Sequence, residues 1–112
     1  MYFYKGFNEN ICTFETSGQV ESGQPVSVCE NCTVKATENG KEFHGVAVNS
    51  RNGAASVQLT GYVELPYTGS AIQVGMVSLA ADGQGGVVLN ENGKKVLAVS
   101  VDTEKAIVGI IL

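Results

Sequence analysis

The stretch "ASVQLTGYVEL", residues 55–65, decides the fold class of this chain. Every second position from Val57 to Leu65 is apolar or glycine, and the positions between are mostly polar. This period of two is typical of strands with one buried face. Further runs of this type are "PVSVC" (25–29), "GVAVNS" (45–50), "KVLAVSV" (95–101) and "AIVGIIL" (106–112). No window predicts a substantial helix, because Gly75 and β-branched residues interrupt the one short candidate, residues 70–80.

Turn signals separate these runs. They are "ENGK" (38–41), "RNG" (51–53), "ADGQGG" (81–86) and a second "ENGK" (91–94). Asn-Gly and Asp-Gly favour tight hairpins, because the central residues of a type I′ turn need positive φ. Many short strands with regular turns predict an all-β fold, a small β-barrel or β-sandwich.

The second "ENGK" indicates an internal repeat, in which Val26 matches Val77, Asn39 matches Asn92 and Val46 matches Val99. We therefore expect one β domain over residues 1–112, with a strand or arm over 1–20 and candidate repeats over 21–68 and 69–112. Half a chain of this length makes a poor core alone, so we predict one pseudo-two-fold barrel of about eight strands. The alternative is two similar hairpins that share turn chemistry.

Composition excludes several classes of function. The formal net charge is −4, and the seven Lys and Arg are scattered, which argues against a nucleic-acid partner. No apolar run approaches the ~20 residues of a membrane span, so no membrane association is expected. The N-terminal sequence lacks the pattern of a signal peptide, which predicts synthesis in a cytosol with reduced thiols.

The stretch "VCENC", residues 28–32, is the best candidate for chemistry. A redox pair lowers the pKa of its first thiol with a helix N-terminus, but the flanks of Cys29 and Cys32 are strand-like. A zinc site needs four ligands, for which Cys12 and the single histidine, His44, would have to join the pair. We interpret the pair as structural or incidental thiols, with no metal. Oxidation to a disulfide and a thiol or zinc function remain as alternatives.

The other candidates are weaker. His44 lacks a recognisable nucleophile and orienting carboxylate, so no catalytic residue is predicted and the protein is not expected to be an enzyme. "ADGQGG" lacks the ending of a phosphate loop and is interpreted as a hairpin loop. Lys105, in "TEKA" (103–106), lies in a predicted turn, as does the modified lysine of lipoyl and biotinyl carrier domains. A lipoyl-type carrier or binding module is therefore an alternative, although no cofactor is predicted.

The order of elements over residues 20–112 resembles the phage and prophage proteins of domain-of-unknown-function family 2190. The resemblance is carried by "SGQPVSV" (22–28), "GVAV" (45–48), "GYVELP" (61–66), "VGMV" (74–77) and "IVGIIL" (107–112). The aromatic N-terminal segment and the cysteines depart from the family pattern.

The resemblance implies a non-enzymatic capsid decoration, or cement, protein. Such a protein binds the major capsid protein of the head, often as a homotrimer, and takes no small-molecule substrate. It resides in the virion, and in the bacterial cytoplasm during expression and assembly. Tyr2, Phe3, Tyr4 and Phe7 are the candidate interface, because aromatic side chains are enriched in interfaces. They form either an extra strand or an arm that docks on another chain.

Overall fold

A computed structural model describes residues 10–112, which form ten strands. The strands of the first half are β1 (Asn10–Thr16), β2 (Pro25–Glu30), β3 (Thr33–Ala36), β4 (Gly45–Arg51) and β5 (Ala54–Thr60). Those of the second half are β6 (Tyr62–Thr68), β7 (Gly75–Ala81), β8 (Val87–Leu89), β9 (Lys94–Asp102) and β10 (Ile107–Ile111). Each half closes into its own barrel, in the orders β1-β3-β2-β4-β5 and β10-β6-β8-β7-β9.

The two halves repeat the same pairing strand for strand. In each, the first strand pairs parallel with the third and antiparallel with the fifth. Even an irregularity recurs, since the pairing skips Val48 in β4 and Val99 in β9, each directly after a buried alanine. The prediction of an all-β barrel fold with two similar halves is confirmed.

The boundary between the halves differs from the expected one. It falls at Gly61, so the repeats cover residues 10–60 and 62–111, where the sequence predicted 21–68 and 69–112. The segment β1, expected to have no counterpart, corresponds to β6. Gly61 has a φ of 97° and divides the stretch 55–65 into two strands of different barrels. Gly61 takes one of the alternate positions that are otherwise apolar, so the alternation of apolar and polar residues continues from β5 into β6 without a visible boundary.

The expected single barrel of about eight strands is also wrong, since each barrel has an apolar cluster. That of the first barrel is built from small residues: Val20, Val26, Val34, Ala47, Ala55 and Val57. That of the second holds larger ones: Leu65, Tyr67, Ile72, Leu79, Val87, Val96, Ala98, Val108 and Ile110, joined by Phe43 and Val46. A half-length chain can fill a closed barrel when its inward side chains are mostly Val and Ala.

The halves nevertheless share part of one core. Phe43, which precedes β4 of the first barrel, is fully buried in the cluster of the second. Beside it, the Gly40 N–H donates to the Ala81 carbonyl at 2.8 Å, and the Ala81 N–H donates to the Lys41 carbonyl at 3.1 Å. The prediction of a shared core thus holds for this junction alone.

The Asn-Gly turns play two roles. Asn52 and Gly53, with φ of 51° and 80°, form the tight β4–β5 hairpin that the sequence predicts. The two "ENGK" turns instead connect β3 to β4 and β8 to β9, which are not neighbours in their sheets. In the second, a Cβ on Gly93 would strike the backbone of Leu79, so glycine allows the chain to pass close to β7. Asn-Gly therefore predicted a turn correctly but not which strands pair.

Candidate functional site

The "CENC" segment forms the hairpin between β2 and β3. Its turn residues are Asn31 and Cys32, and Cys32 has a φ of 54°. The pairing passes from Val28–Val34 to Glu30–Thr33, so Cys29 is skipped as a bulge. The turn therefore includes the second cysteine itself and does not consist of the two residues between the cysteines, Glu30 and Asn31.

The three cysteines are all exposed, free thiols. Cys29 Sγ contacts the Thr33 carbonyl oxygen at 3.7 Å, a weak hydrogen bond within the hairpin. Within residues 10–112, no three His, Cys, Asp or Glu side chains cluster closely enough to hold a metal ion. The thiol pair is therefore placed at a solvent-facing hairpin tip, and His44 does not join it in a ligand set.

His44 extends the β2 ladder where β4 begins. Its backbone N–H donates to the Val26 carbonyl at 2.8 Å, and its Nδ1 accepts from the Val28 N–H at 2.9 Å. Beyond the last β2–β4 pair, the imidazole thus accepts the hydrogen bond of the Val28 N–H that a backbone carbonyl would otherwise accept. This hydrogen bond gives His44 a structural role at the hairpin edge.

The glycine-rich loop 81–86 connects β7 to β8, as predicted from the sequence. Its backbone amides point to the carboxylate of Asp82, whose Oδ1 accepts from the N–H groups of Gln84 at 2.7 Å and Gly86 at 3.0 Å. The other oxygen, Oδ2, contacts the hydroxyl of Thr68 at 3.2 Å. Two of the backbone N–H groups that could bind a phosphate thus donate to the loop's own carboxylate.

Lys105 lies in the exposed turn between β9 and β10. The Asp102 Oδ1 atom organises this turn by accepting from the N–H groups of Glu104 at 3.0 Å and Lys105 at 3.1 Å. Ala106 completes it with a φ of 55°. The side chain of Lys105 is therefore presented at a hairpin tip, as the carrier interpretation requires.

Two concave regions lie on or near the first barrel. A cavity of about 40 Å³ at the junction of the barrels is lined by Pro25, Thr37 and Ala81 among others, and it is large enough for water only. An open pocket of about 320 Å³ on the outer face is lined by Thr13, Asn49, Arg51, Ala54, Ala55 and Ser56. No acidic side chain of the described part pairs with Arg51. The pocket is polar and shallow, without a second charged group that would define a ligand.

The outer face of the second barrel carries a feature that sequence reasoning missed. We call it the apolar row: Tyr62, Met76, Leu97 and Ile111, which lie side by side on four adjacent strands. Met76 is 69% exposed and Leu97 is 38% exposed. The sequence contains one sign of this surface, the adjacent apolar residues Met76 and Val77, because in a strand one of two neighbours must face outwards. The other members of the row become apparent only from the pairing of the strands.

The predicted interface residues Tyr2, Phe3, Tyr4 and Phe7 lie outside the described residues. Within residues 10–112, no helix has the length and apolar character needed to cross a membrane. No protein-family model matches the chain, and no curated protein matches it. The fold therefore defines the class, an all-β protein of two similar closed barrels.

Proposed function

We propose that the protein is a non-enzymatic structural protein of a phage or prophage, a decoration protein that binds the major capsid protein of the head. The order of sequence elements over residues 20–112 supports this proposal. In it, the chain binds the head lattice as a homotrimer, with Tyr2, Phe3, Tyr4 and Phe7 as anchors. Its place is the virion, after folding in the bacterial cytoplasm.

The observation that carries the proposal is the closure of both sheets. Within the described part of the chain, every strand has a hydrogen-bonded neighbour on each side. Strand addition to an exposed edge is therefore not available to a partner, which must bind through side chains. The body is small, with a radius of gyration of 13.1 Å, and the aromatic N-terminal segment precedes β1 in the sequence. A small closed body with aromatic anchors suits repeated binding to a lattice.

Co-sedimentation tests this proposal. The purified protein is mixed with expanded empty heads assembled from the major capsid protein of the phage or prophage that encodes it. We expect saturable binding at a fixed ratio to the capsid protein, and weaker binding by a variant that lacks residues 2–8. Unexpanded heads are the matched control, since a decoration protein distinguishes the two lattices. Absence of binding to expanded heads at saturating protein concentration would overturn the proposal.

A carrier function is a second candidate, supported by the exposed position of Lys105 at a hairpin tip. It predicts an acyl adduct on Lys105 in protein isolated from its natural host, measured by intact mass and peptide mapping. Lys94, a half-buried lysine of the same strand pair, is the internal control. An unmodified Lys105 in a host with active lipoylation would contradict this candidate.

A further inference from the structure

The two barrels stack through a row of three side chains on the outer face of the first barrel. In this row Val46 pairs with Pro25 on one side and with Gln58 on the other, and all three residues are buried. Their neighbours along the strands fill the first core, so the row points outwards. Val46 packs in the cluster of the second barrel, and Pro25 lines the cavity at the junction. This face of the first barrel therefore binds another barrel of the same fold.

The same row of the second barrel is exposed. Leu97 takes the place of Val46, because each lies two residues before the position that the pairing with the fifth strand skips. Its partners are Met76 and Ile111. Met76 is 69% exposed, Leu97 is 38% exposed and Ile111 is half-buried. The structural counterpart of Val46 is thus Leu97 rather than Val99, and within the described residues no barrel packs on it.

A groove of about 330 Å³ beside Met76 gives the exposed face depth. Ser78 and Lys95 also line it. The Ser78 hydroxyl is buried and has no hydrogen-bond partner in the part of the chain that the structure describes, whereas Ser27, at the same place in the first row, hydrogen-bonds to the Thr37 hydroxyl at 2.6 Å. Lys95 is exposed, and among residues 10–112 no carboxylate pairs with it. The groove therefore suits an apolar side chain accompanied by an acidic one.

The surface that receives the first row lies at the end of β7. There Ala81 forms two backbone hydrogen bonds with the segment 40–41, and Gly83 of the β7–β8 loop lies against Asn39. The matching connection of the first barrel, from β2 to β3, is the hairpin tip 28–32, whose five residues are all exposed. The receiving surface of the second barrel is occupied by its own first barrel, so the surface that a second copy offers is its hairpin tip.

The hairpin tip complements the groove in polarity. Val28 is 44% exposed and supplies an apolar side chain. Glu30, two residues further along, is exposed, and in the described part of the chain it forms no ion pair. A contact between the two surfaces brings Glu30 towards Lys95, and opposite charges of this kind determine which surfaces meet and in which orientation.

We propose that the face formed by Met76, Leu97 and Lys95 binds the hairpin tip 28–32 of a second copy of this chain. The contact continues, between molecules, the stacking that joins the two barrels within one molecule. It is head to tail, because each copy contributes a different surface, and such contacts close into rings or extend as chains. It belongs to the free protein and does not rest on the proposed binding to a phage head.

Sedimentation velocity over a range of protein concentrations tests the association. We expect the mass of the full chain to rise above that of the monomer, and Leu97→Thr to weaken the association about tenfold. Leu89→Thr is the matched control, because Leu89 is 36% exposed on the same barrel and lies outside the row. Thermal melting verifies that both variants fold. A full chain that stays monomeric up to about 1 mM would overturn the proposal.

Deletion of residues 2–8 tests the other occupant of the face, the chain's own N-terminal segment. We expect the deletion variant to associate as the full chain does. Association of the deletion variant alone would mean that the segment covers the face in the full chain, and the proposal would be wrong. Loss of association on deletion, with no effect of Leu97→Thr, would assign the contact to the aromatic residues and would equally overturn it.

Charge exchange identifies the surface on the second copy. Lys95→Glu and Glu30→Lys should each weaken the association, and the variant that carries both changes should regain it, because the two residues meet across the contact. Lys105→Glu, at an exposed lysine of the β9–β10 turn, matches the change in net charge and should have little effect. A double variant that associates no better than the single ones would contradict the head-to-tail contact, whether or not the protein binds heads.

Discussion

Gln58 connects the two barrels at the level of a single side chain. It occupies a polar position of the opening alternation, yet it is only 5% exposed. Its Nε2 donates to the carbonyl oxygens of Thr60 at 3.0 Å and Tyr62 at 2.9 Å, on both sides of Gly61. Alternation predicts that a polar residue faces water, but here the polar side chain binds the backbone on both sides of Gly61, where the chain passes from one barrel to the other.

Gln58→Ala should destabilise the protein by about 1–3 kcal/mol, because two buried hydrogen bonds are lost from the junction. The free energy of unfolding is measured by urea denaturation. Gln73→Ala is the matched control, since Gln73 is exposed and should change stability by less than about 0.5 kcal/mol. Equal stabilities of the two variants would refute a role of Gln58 at the junction.

Tyr62 has a shifted titration. Burial raises the pKa of its hydroxyl above the ordinary value of 10.0; a hydrogen bond to Glu64 and that residue's charge raise it further, while a hydrogen bond with Ser100 opposes them. The hydroxyl donates to Glu64 Oε2 at 2.9 Å. The folded state therefore favours the neutral phenol, so the associated stability is complete below pH ~10 and is lost as the pH rises through the folded-state pKa.

Glu64→Gln should lower the pKa of Tyr62 but leave it above its ordinary value, because burial is the larger cause. Carbon-13 NMR of labelled tyrosine gives the midpoint, and Tyr62→Phe assigns the signal. A midpoint in the parent protein equal to that of unfolded tyrosine would contradict the expected shift.

The hairpin at Cys29 and Cys32 shows what the sequence predicts at this scale. The strand-like flanks of Cys29 and Cys32 predicted the strands on both sides, and the structure adds the bulge at Cys29. The role of His44 as an acceptor for Val28 was not predictable, because it depends on where β4 leaves β2. A turn can be predicted from adjacent residues. The contact of Val28 with His44, sixteen residues away, depends on the order in which the strands pair.

Between elements, the segment 40–43 binds the two barrels together. Its backbone pairs with Ala81 on β7, and Phe43 fills the core of the second barrel. The corresponding segment of the second half, residues 93–96, leads into β9 of its own barrel, where Val96 is buried in the same cluster. The two halves therefore have the same strand order but differ in the segment that precedes their fourth strand, which crosses to the other barrel only in the first half.

Phe43→Ala should reduce the free energy of unfolding by about 3–5 kcal/mol, because it removes a fully buried ring from a closed core. Val26→Ala, a smaller deletion in the core of the first barrel, is the comparison and should cost less. Denaturation followed by circular dichroism gives both values. A loss below about 1 kcal/mol for Phe43→Ala would show that the ring does not couple the halves.

The strands were the most predictable elements, because one face of each is buried and the period of two survives in the sequence. The boundary at Gly61 and the number of strands were not predictable from that period. Closure of each half depends on parallel pairing of its first and third strands, which are separated by a whole hairpin strand. No local pattern indicates such a pairing, so a single larger barrel fitted the sequence equally well.

At the scale of the whole molecule, the two cores differ in strength. The buried residues of the first core are four valines and two alanines. The second core also contains leucine, isoleucine and tyrosine, together with Phe43 from the first half of the chain. Apolar burial stabilises by roughly 25 cal/mol per Å² of surface, so the second barrel should be the more stable.

Hydrogen exchange should therefore be faster in the first barrel. We expect the amides of β2 and β4 to exchange before those of β7 and β9, since local opening follows the local density of apolar contacts. Mass spectrometry of peptic fragments after timed exchange measures this order. Identical protection in the two halves would indicate a single cooperative unit.

Function was less predictable than fold. The interpretation as a decoration protein depends on an ordered set of short motifs, such as Gly61 to Pro66, and on aromatic residues outside the described structure. The apolar row was not predicted, because its members come from four different strands and only the strand pairing brings them side by side. Which side chains lie together on the outer face of a sheet depends on which strands pair, and a single sequence gives little information on strand pairing.

The position of Phe43 has a consequence for synthesis on the ribosome. The first barrel can close once Thr60 has emerged, but the core that receives Phe43 needs β10, which is made last among the ten strands. Since domains fold as they are translated, the nascent chain passes through a stage with a closed barrel and an unburied phenyl ring. We expect ribosome-stalled chains that carry residues 1–75 followed by a linker long enough to span the exit tunnel to recruit a hydrophobic-binding chaperone, and Phe43→Ser to weaken that recruitment.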